Sequence, residues 1–274
     1  MKKVYFIIGC LANGGAERVV SNLSLRLKDD LEREIVLFGN KVKIDYPYKG
    51  NILYLDQLRT ANVFEKIFAL FKRVYLLRKL KKKNPEALFI SFLEYQNLLN
   101  LLSGMKNNSI VSVRNFMSAK HKKGIKAFFW NQTIKYLYNF AKKIVAVSEQ
   151  IKIDLIENYQ IKEEKITVIY NSYDINKIEK LSLERIKGNE EHIFKNPTII
   201  TVGRLNYQKG QHHLIKSFKY VKEKISNAQL VILGEGNLKT ELQDLAHKLD
   251  VADSVHFLGF QKNPFKYIAR SKVF

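Results

Sequence analysis

Residues 200–210 decide the fold, and they read Ile200-Thr201-Val202-Gly203-Arg204-Leu205-Asn206-Tyr207-Gln208-Lys209-Gly210. The apolar run 198–202 predicts a buried strand, and Gly203 ends that strand before a short loop. After Gly210, apolar residues recur at helical spacing over residues 211–224, which predicts a helix. A strand, a glycine-bearing turn and a helix start together favour anion binding, because the first helical N–H groups and the helix dipole attract negative charge.

Two basic side chains belong to this loop. Arg204 can hold two oxygens through its planar fork, and Lys209 adds a point charge. The loop therefore predicts a diphosphate site made of Gly203, Arg204 and Lys209. The alternative is an ordinary strand-to-helix turn with two solvated basic residues. The loop is not a P-loop, since no Gly-Lys-Ser/Thr follows a glycine at the required spacing.

Length and composition limit the possible classes of protein. A chain of 274 residues predicts two domains of roughly 100–200 residues each. A hydrophobic content of 46% with four prolines excludes a largely disordered chain, and the apolar runs fall short of the ~20 residues that span a bilayer. The N-terminal apolar run is too short for a signal peptide. Cys10 is the single cysteine and cannot form an internal disulfide, so we expect a soluble cytoplasmic protein.

The net charge is the unusual bulk property. A formal charge of +21 predicts an anionic partner, which could be nucleic acid, an anionic membrane face or a phosphorylated small molecule. The sequence contains no helix-turn-helix, RNP or zinc-finger pattern, so we expect no nucleic-acid partner. The six histidines show no metal-ligand spacing with carboxylates or cysteine, so we also expect no metal.

Strand and helix signals alternate along the whole chain, which predicts an α/β protein with parallel sheets covered by helices. We divide it into a first lobe at residues 1–175, a linker and helix at 176–196, and a second lobe at 197–274. The linker is assigned from its high charge and low hydrophobicity.

Polar and glycine residues follow several predicted strands, where open α/β sheets bind ligands. Gly14-Gly15 comes after the first strand and lets a ligand approach the backbone, although an ordinary tight turn explains the pair equally well. Arg114-Asn115 follows the strand 109–113 and is a second candidate. In the second lobe, the strand 229–233 leads into a turn that contains Gly234 and Gly236.

The segment 62–83 predicts a long helix with an apolar face and a basic face. Its expected packing stripe is broadened by further aromatic residues, and basic residues, including Arg73, occupy much of the remaining surface. Such a helix could lie against an anionic membrane, where each lysine or arginine contributes on the order of 1 kcal/mol. The alternative is a core-packed helix with a solvated basic face. The expected stripe is Val63, Ile67, Leu70, Val74 and Leu77, with Phe64, Phe68, Phe71 and Tyr75 beside it.

Several stretches together resemble family 4 glycosyltransferases, which are retaining, nucleotide-sugar-dependent enzymes of the GT-B fold. The resemblance covers nearly the whole chain. It rests on residues 14–19 (Gly14-Gly15-Ala16-Glu17-Arg18-Val19), 169–172 (Ile169-Tyr170-Asn171-Ser172), 202–205 with Lys209-Gly210, and 233–236 with 257–259.

This resemblance implies a fold of two Rossmann-like parallel-sheet lobes facing a cleft, with the second lobe incomplete. It implies transfer of a hexose or N-acetylhexosamine from a UDP- or GDP-sugar to a lipid-linked or surface-polysaccharide acceptor, without a cofactor, at the inner face of the cell membrane. It makes Arg204 and Lys209 the catalytic cations that neutralise the leaving diphosphate. The donor side would also use Gly14, Gly15, Gly203, Gly234 and Gly236, and the acceptor side Asn13, Arg114 and Asn115.

Two departures from the family pattern affect these expectations. The family's pair of glutamates, eight positions apart, belongs to a region beyond Phe274, so we expect this chain to be a poor catalyst. Many relatives also carry a histidine near the end of the strand that finishes at Val113, where this chain has Arg114-Asn115. The remaining alternatives are an inactive fragment of such an enzyme, or a basic protein that binds membrane or nucleic acid.

Overall fold

The computed structural model describes residues 2–12, 14–39, 42–58, 61–104, 108–118, 125–186, 188 and 190–274. The chain divides into two compact units, Met1–Ser172 and Tyr173–Phe274. Each unit has its own parallel sheet and its own hydrophobic core.

The described residues of the first unit contribute seven strands to one parallel sheet. In chain order these strands are β1 (Lys2–Ile7), β2 (Leu31–Leu37), β3 (Asn51–Tyr54), β4 (Leu88–Phe92), β5 (Ser109–Val113), β6 (Lys143–Ala146) and β7 (Ile166–Val168). Across the sheet the order is β3-β2-β1-β4-β5-β6-β7. The direction of strand addition reverses between β1 and β4, and loops that leave a sheet at such a point diverge and open a crevice for ligands.

Helices cover both faces of this sheet. They are α1 (Gly15–Arg26), α2 (Val63–Lys83), α3 (Glu94–Leu102), α4 (Ile125–Tyr138) and α5 (Glu149–Tyr159). Because successive strand residues point to opposite faces, β1 supplies both cores: Phe6 packs in the cluster that includes Val20 of α1, and Tyr5 in the cluster that includes Leu77 of α2. Tyr5 also stacks on Phe89 of β4 with ring centroids 4.6 Å apart.

Helix α2 forms where the sequence predicts it, but its faces differ from the prediction. Asn62 caps the helix, since its side chain accepts a hydrogen bond of 2.8 Å from the Glu65 amide. Val63 and Ile67, expected in the packing stripe, are 66% and 49% exposed. The buried face is instead centred on Ala69, Arg73 and Leu77. Among the described residues, no helix combines the length and apolarity that crossing a bilayer requires.

Arg73 was predicted on the basic surface of α2, and this prediction is wrong. Its side chain is buried and forms an ion pair with Asp56, with Nε 2.5 Å from Oδ2 and Nη2 3.3 Å from Oδ1. The guanidinium also donates to the Tyr95 hydroxyl at 3.2 Å and lies over the Phe38 ring. Helical periodicity depends only on residues within the helix. Asp56, the partner that permits the burial of Arg73, lies 17 residues away, before the helix begins.

The second unit has a smaller parallel sheet. Its described strands are β8 (Thr198–Val202), β9 (Gln229–Leu233) and β10 (Val255–Gly259), in the order β10-β9-β8. Its helices are α6 (Ile175–Ser182), α7 (Gln211–Lys224), α8 (Lys239–Lys248) and α9 (Phe265–Ile268). Ile215 and Phe218 of α7 and Leu242 of α8 are buried against the sheet. Val273 forms an isolated parallel bridge with Ile199 of β8.

The residues that the sequence suggested as a linker and helix pack within the second unit. Asn263 donates from its side chain to the carbonyl of Leu181 at 2.8 Å, and Arg270 donates to the carbonyl of Ser182 at 3.3 Å. Ile186 and Ile193 join a core cluster with Tyr267 of α9. The few apolar residues of this charged segment therefore suffice to attach it to the unit.

Candidate functional site

The loop after β8 has the predicted order of strand, glycine turn and helix. A short 3-10 helix at Tyr207–Lys209 leads to Gly210, whose φ of 68° starts α7. Carbon atoms of the Lys209 side chain lie about 3.5 Å from the position that a Cβ on Gly203 would occupy. The loop thus brings Gly203, Arg204 and Lys209 together at the carboxyl end of β8.

Both basic side chains of this loop are exposed and uncompensated. In the part of the chain that the structure describes, neither Arg204 nor Lys209 makes a side-chain hydrogen bond or an ion pair. Gly210 as N-cap offers no side chain to the first amides of α7, and among these His213 donates to the Gly210 carbonyl at 2.9 Å. Two positive charges and a helix N-terminus therefore face solvent without an internal anion, which suits a diphosphate.

Gly234 and Gly236 have a steric role in building this loop. A Cβ on Gly234 would lie 2.0 Å from the carbonyl oxygen of Gly203, and one on Gly236 would lie 2.2 Å from that of Leu205. The close approach allows backbone hydrogen bonds between loops: the Gly203 amide donates to Leu233 at 2.9 Å and the Leu205 amide to Glu235 at 2.9 Å. These two glycines fix the loop that carries Arg204, while their contact with a donor stays a prediction.

Two polar residues of the same loop escaped the sequence analysis. Gln211, buried at the start of α7, donates from Nε2 to the Arg204 carbonyl at 3.0 Å. Its Oε1 and the Oδ1 of Asn206 are buried and accept no hydrogen bond from any described residue. An unpaired buried acceptor is costly, so these atoms are candidates to receive a ligand or water donor. Their burial depends on the loop geometry, which the sequence does not reveal.

The glycine pair of the first unit has a carboxylate beside it. Gly14 is the N-cap of α1, and a Cβ there would lie 1.9 Å from Oε2 of Glu17. Gly15 is open, with no atom within 4 Å of its Cβ position. A carboxylate at a helix N-terminus is stabilised by the dipole and repels a second anion. The assignment of Gly14 and Gly15 to a donor phosphate stays a prediction, and Asn13 lies outside the described residues.

Arg114 and Asn115 lie at the carboxyl end of β5, as predicted. Arg114 donates from Nη1 to Ser112 Oγ at 3.3 Å and from Nη2 to Asn171 Oδ1. Asn171 belongs to the 169–172 stretch, so the guanidinium joins two of the segments that the sequence had singled out separately. Asn115 is exposed.

A hollow opens beside these residues, between the first turn of α3 and the end of β5. Its lining includes polar residues that sequence reasoning missed. Leu93, the residue before α3, has φ of 74°, a strained conformation for a non-glycine residue and one that clusters at functional sites. The polar lining residues are Glu94, Asn97, Ser112, Arg114, Asn115 and Tyr138. No cluster of three or more potential metal ligands occurs among the described residues.

Comparison with known families matches nearly the whole chain. Residues 13–177 match the family model described as Glycosyltransferase Family 4, and residues 184–274 match the model described as Glycosyl transferases group 1.

Two curated relatives illustrate the sequence similarity. An uncharacterized glycosyltransferase of Methanocaldococcus jannaschii is 33% identical over 261 residues, which cover 90% of this chain and 59% of that protein. The N-acetylgalactosamine-N,N'-diacetylbacillosaminyl-diphospho-undecaprenol 4-alpha-N-acetylgalactosaminyltransferase of Campylobacter jejuni is 31% identical over 281 residues, which cover 100% of this chain and 74% of that protein. This chain therefore spans about three fifths to three quarters of the length of these relatives.

Solved structures agree on the fold. Anabaena Alr3699/HepE, crystallised with UDP and glucose, has a TM-score of 0.71 at 16% identity, covering 99% of this chain and 73% of that chain. Sucrose-phosphate synthase from Thermosynechococcus elongatus has a TM-score of 0.72 at 14% identity, covering 99% and 74%. The prediction of an α/β protein of the GT-B type is confirmed. By its family-model match and its relatives, this chain is a member of glycosyltransferase family 4.

Proposed function

We propose that this chain transfers a hexose or an N-acetylhexosamine from a nucleotide sugar to a lipid-linked or surface-polysaccharide acceptor, with retention of configuration at the anomeric carbon. The observation that carries the proposal is the uncompensated pair Arg204 and Lys209 beside Gly203 and the start of α7. Family membership supports the class of reaction. The Campylobacter relative, named for transfer to a diphospho-undecaprenol-linked glycan, supports a lipid-linked acceptor.

The proposed chemistry needs positive charge where this loop supplies it. The bond between the anomeric carbon and the β-phosphate oxygen breaks, and the nucleoside diphosphate leaves with the electron pair. The acceptor oxygen bonds to the same carbon, and its proton passes to the oxygen of the departing phosphate. Negative charge grows on the leaving phosphate, and fixed cations lower the barrier when they bind that charge more strongly in the transition state. Arg204 suits two phosphate oxygens and Lys209 suits one.

Nucleotide binding tests the role of this loop directly. We expect Arg204→Ala or Lys209→Ala to weaken UDP or GDP binding by about 1–3 kcal/mol in calorimetry, because each removes a charged hydrogen bond. Lys216→Ala is the matched control, since it removes an exposed charge from α7 away from the loop. Equal affinity in the loop variants and the control would contradict the proposal.

We also propose that transfer needs no metal, because Arg204 and Lys209 supply the charge that a cation supplies elsewhere. Sugar release in EDTA should then equal release with Mg²⁺, and a rate that depends on added metal would contradict this part. Retention is checked by the anomeric NMR signal of the product.

We propose that α2 holds the protein on an anionic membrane surface at the cytoplasmic face. Phe64, Phe68, Phe71 and Tyr75 are 86%, 59%, 69% and 65% exposed. Their spacing puts them on one stripe, opposite the buried face that contains Arg73. The core therefore does not account for these aromatics. Further along the helix, exposed basic residues extend or flank the stripe, and they are Lys72, Arg78, Lys79, Lys82 and Lys83.

An interfacial helix combines these features, with aromatic rings in the headgroup region and lysines near anionic lipid. The charge of +21 complements such a surface. We expect the triple variant Phe64→Ser, Phe68→Ser and Phe71→Ser to lose most of its sedimentation with vesicles containing phosphatidylglycerol. Tyr220→Ser removes a comparably exposed ring, 68%, from the second unit and should leave sedimentation unchanged. Equal binding to neutral and anionic vesicles would contradict an anionic surface as the partner.

A further inference from the structure

Gln211 holds the backbone of Arg204 from the far end of the loop that carries both cations. It is the first residue of α7, it is 2% exposed, and its Nε2 donates to the Arg204 carbonyl at 3.0 Å. The two residues are seven positions apart, and Lys209 lies between them in the chain. The hydrogen bond therefore closes the loop and limits how far Arg204 can move relative to Lys209.

The backbone on either side of Arg204 is also fixed. The Gly203 amide donates to the Leu233 carbonyl and the Leu205 amide to the Glu235 carbonyl, each at 2.9 Å. Leu205 is fully buried in the core cluster that contains residues of α7 and α8. With its carbonyl bound as well, Arg204 has a fixed main chain, while its side chain is exposed to solvent.

Stability alone does not account for a glutamine at position 211. The Arg204 carbonyl also accepts from the Asn206 amide at 3.0 Å, so it has a partner without Gln211. The Oε1 atom of Gln211 is buried and accepts no hydrogen bond from any described residue, which costs stability. A methionine would fill a similar volume without that cost. The amide is better explained by what its hydrogen bond does to Arg204.

We propose that Gln211 is a positioning residue, which aligns Arg204 with Lys209 so that both cations meet the same diphosphate. It acts through the Arg204 backbone and does not itself contact the nucleotide. Cations that are in place before the donor arrives need little ordering on binding, and they stabilise the leaving phosphate without rearranging. This inference rests on the proposed function, because it needs Arg204 and Lys209 to bind that diphosphate.

Nucleotides that differ by one phosphate test the alignment without turnover. Calorimetry compares UDP with UMP, and GDP with GMP, since the monophosphates lack the β-phosphate that the two cations are proposed to hold. In Gln211→Met, we expect diphosphate affinity to fall about three- to tenfold and monophosphate affinity to stay within about twofold of the wild type. An unchanged preference for the diphosphate over the monophosphate would overturn the inference.

Gln229→Met is the matched control in the same unit. Gln229 pairs with Thr198 at the start of β8, so it lies at the opposite end of the sheet from the loop. Its side chain donates to the Asn227 carbonyl at 3.1 Å and forms a hydrogen bond of 2.7 Å with His256. This variant should lower the Tm by about 4 °C, because it removes these bonds, and should leave the preference for the diphosphate unchanged.

Thermal stability separates positioning from a merely structural role. Gln211→Met should keep the Tm within about 2 °C of the wild type or raise it, because it removes a buried acceptor that has no partner among the described residues. Gln211→Leu is a second variant without the amide, and it keeps the test informative if the first folds poorly. A lower Tm together with equal weakening of both nucleotides would overturn the inference.

A double-mutant cycle tests whether Gln211 acts through Arg204. In the Arg204→Ala background, Gln211→Met should change diphosphate affinity by less than about twofold, because the side chain that it positions is gone. Equal losses with and without Arg204 would overturn the inference.

Failure of the proposed function looks different from failure of this inference. If the loop does not hold the diphosphate, Arg204→Ala itself keeps the preference of the wild type for the diphosphate, and both proposals are wrong. If Arg204→Ala loses that preference and Gln211→Met keeps it, only the role of Gln211 is wrong.

Discussion

The two units hold the loops at the carboxyl ends of their strands by different means. In the first unit, side chains hold them: Asn97 binds the carbonyl of Ser112, and Arg114 binds Asn171. In the second unit, the backbone does so, since the Gly203 amide donates to Leu233 and the Gly234 amide donates to Gly259 at 2.7 Å. The loops of the first unit therefore depend on particular polar side chains. The loops of the second unit depend mainly on glycines, whose lack of a side chain lets the backbones approach each other.

This difference suits the two halves of the proposed reaction. A diphosphate is the same in every nucleotide sugar, so a site for it can be built from backbone geometry and two cations. Acceptor glycans differ in the number and position of their polar groups, and discrimination among them needs side-chain donors and acceptors. Substitutions should therefore alter acceptor choice in the first unit and should disturb loop architecture in the second.

The largest effect should come from filling the space between the loops of the second unit. Gly234→Ala places a Cβ 2.0 Å from the Gly203 carbonyl oxygen at φ of 134°, and we expect a loss of about 3–5 kcal/mol of unfolding free energy. Gly15→Ala, with no atom within 4 Å, should change stability by less than about 1 kcal/mol. Denaturant unfolding followed by circular dichroism measures both.

The single tryptophan sharpens this test. Trp130 lies in α4 of the first unit, so its fluorescence reports that unit while circular dichroism reports both. If backbone packing in the second unit is the cause, Gly234→Ala should shift the dichroism transition more than the fluorescence transition. A similar cost for Gly234→Ala and Gly15→Ala would remove the contrast between the units.

The next effect should come from the buried ion pair of the first unit. Asp56→Asn keeps the side-chain shape but leaves the Arg73 guanidinium buried without its counter-charge, and we expect a loss of about 3 kcal/mol. Tryptophan fluorescence during urea unfolding would record it. Asp45→Asn breaks the exposed pair with Lys43 and should cost no more than roughly 0.5 kcal/mol. Equal losses of unfolding free energy in Asp56→Asn and Asp45→Asn would mean that the buried ion pair stabilises the first unit no more than an exposed one.

The effect that is smallest per step of the measurement should be a pH dependence from Lys81, which changes stability by at most about 1.4 kcal/mol for one pH unit. This half-buried amine donates to the Asn100 carbonyl at 2.5 Å and to Ser109 Oγ at 2.8 Å, and burial lowers its pKa to about 7. Between pH 7 and its ordinary pKa near 10.5, the unfolded chain binds the proton that the folded chain has lost. The free energy of unfolding should therefore rise with pH in that window, by at most about 1.4 kcal/mol per pH unit.

Lys81→Met should remove this rise, whereas Lys82→Met, which changes an exposed neighbour, should keep it. Urea titrations at pH 7, 8 and 9 give the comparison, and parallel curves for the wild type and Lys81→Met would exclude a shifted amine.

Local patterns predicted the regular elements well. The strands at 109–113, 198–202 and 229–233 and the helix at 211–224 have the predicted bounds, because hydrophobic periodicity and glycine placement are properties of neighbouring residues. The loop with Arg204 was found for the same reason.

Features that depend on distant partners were missed. Arg73 is buried only because Asp56 faces it, and the buried hydroxyl of Tyr138 has a hydrogen-bond partner only because Asn97, 41 residues earlier in the chain, donates to it. Likewise, the sequence predicted Gly234 only as a donor-site glycine, and the steric need for glycine there, where a Cβ would lie 2.0 Å from the Gly203 carbonyl oxygen, appears only when the two strands are side by side. Such pairings follow from strand order, which local sequence does not encode.

The exposed stripe of aromatic rings on α2 should also affect whether molecules of the purified protein associate with one another. With +21 net charge, molecules repel one another at low ionic strength and the stripes stay apart. At about 0.15 M salt the Debye length falls to ~8 Å. Electrostatic repulsion between two molecules then acts only over distances shorter than the protein itself. Added salt should then promote self-association through Phe64, Phe68 and Phe71. A protein whose surface carries paired opposite charges would instead become more soluble as salt is added. The rings that we propose to lie against lipid should thus also set the ionic strength at which the purified protein stays monodisperse.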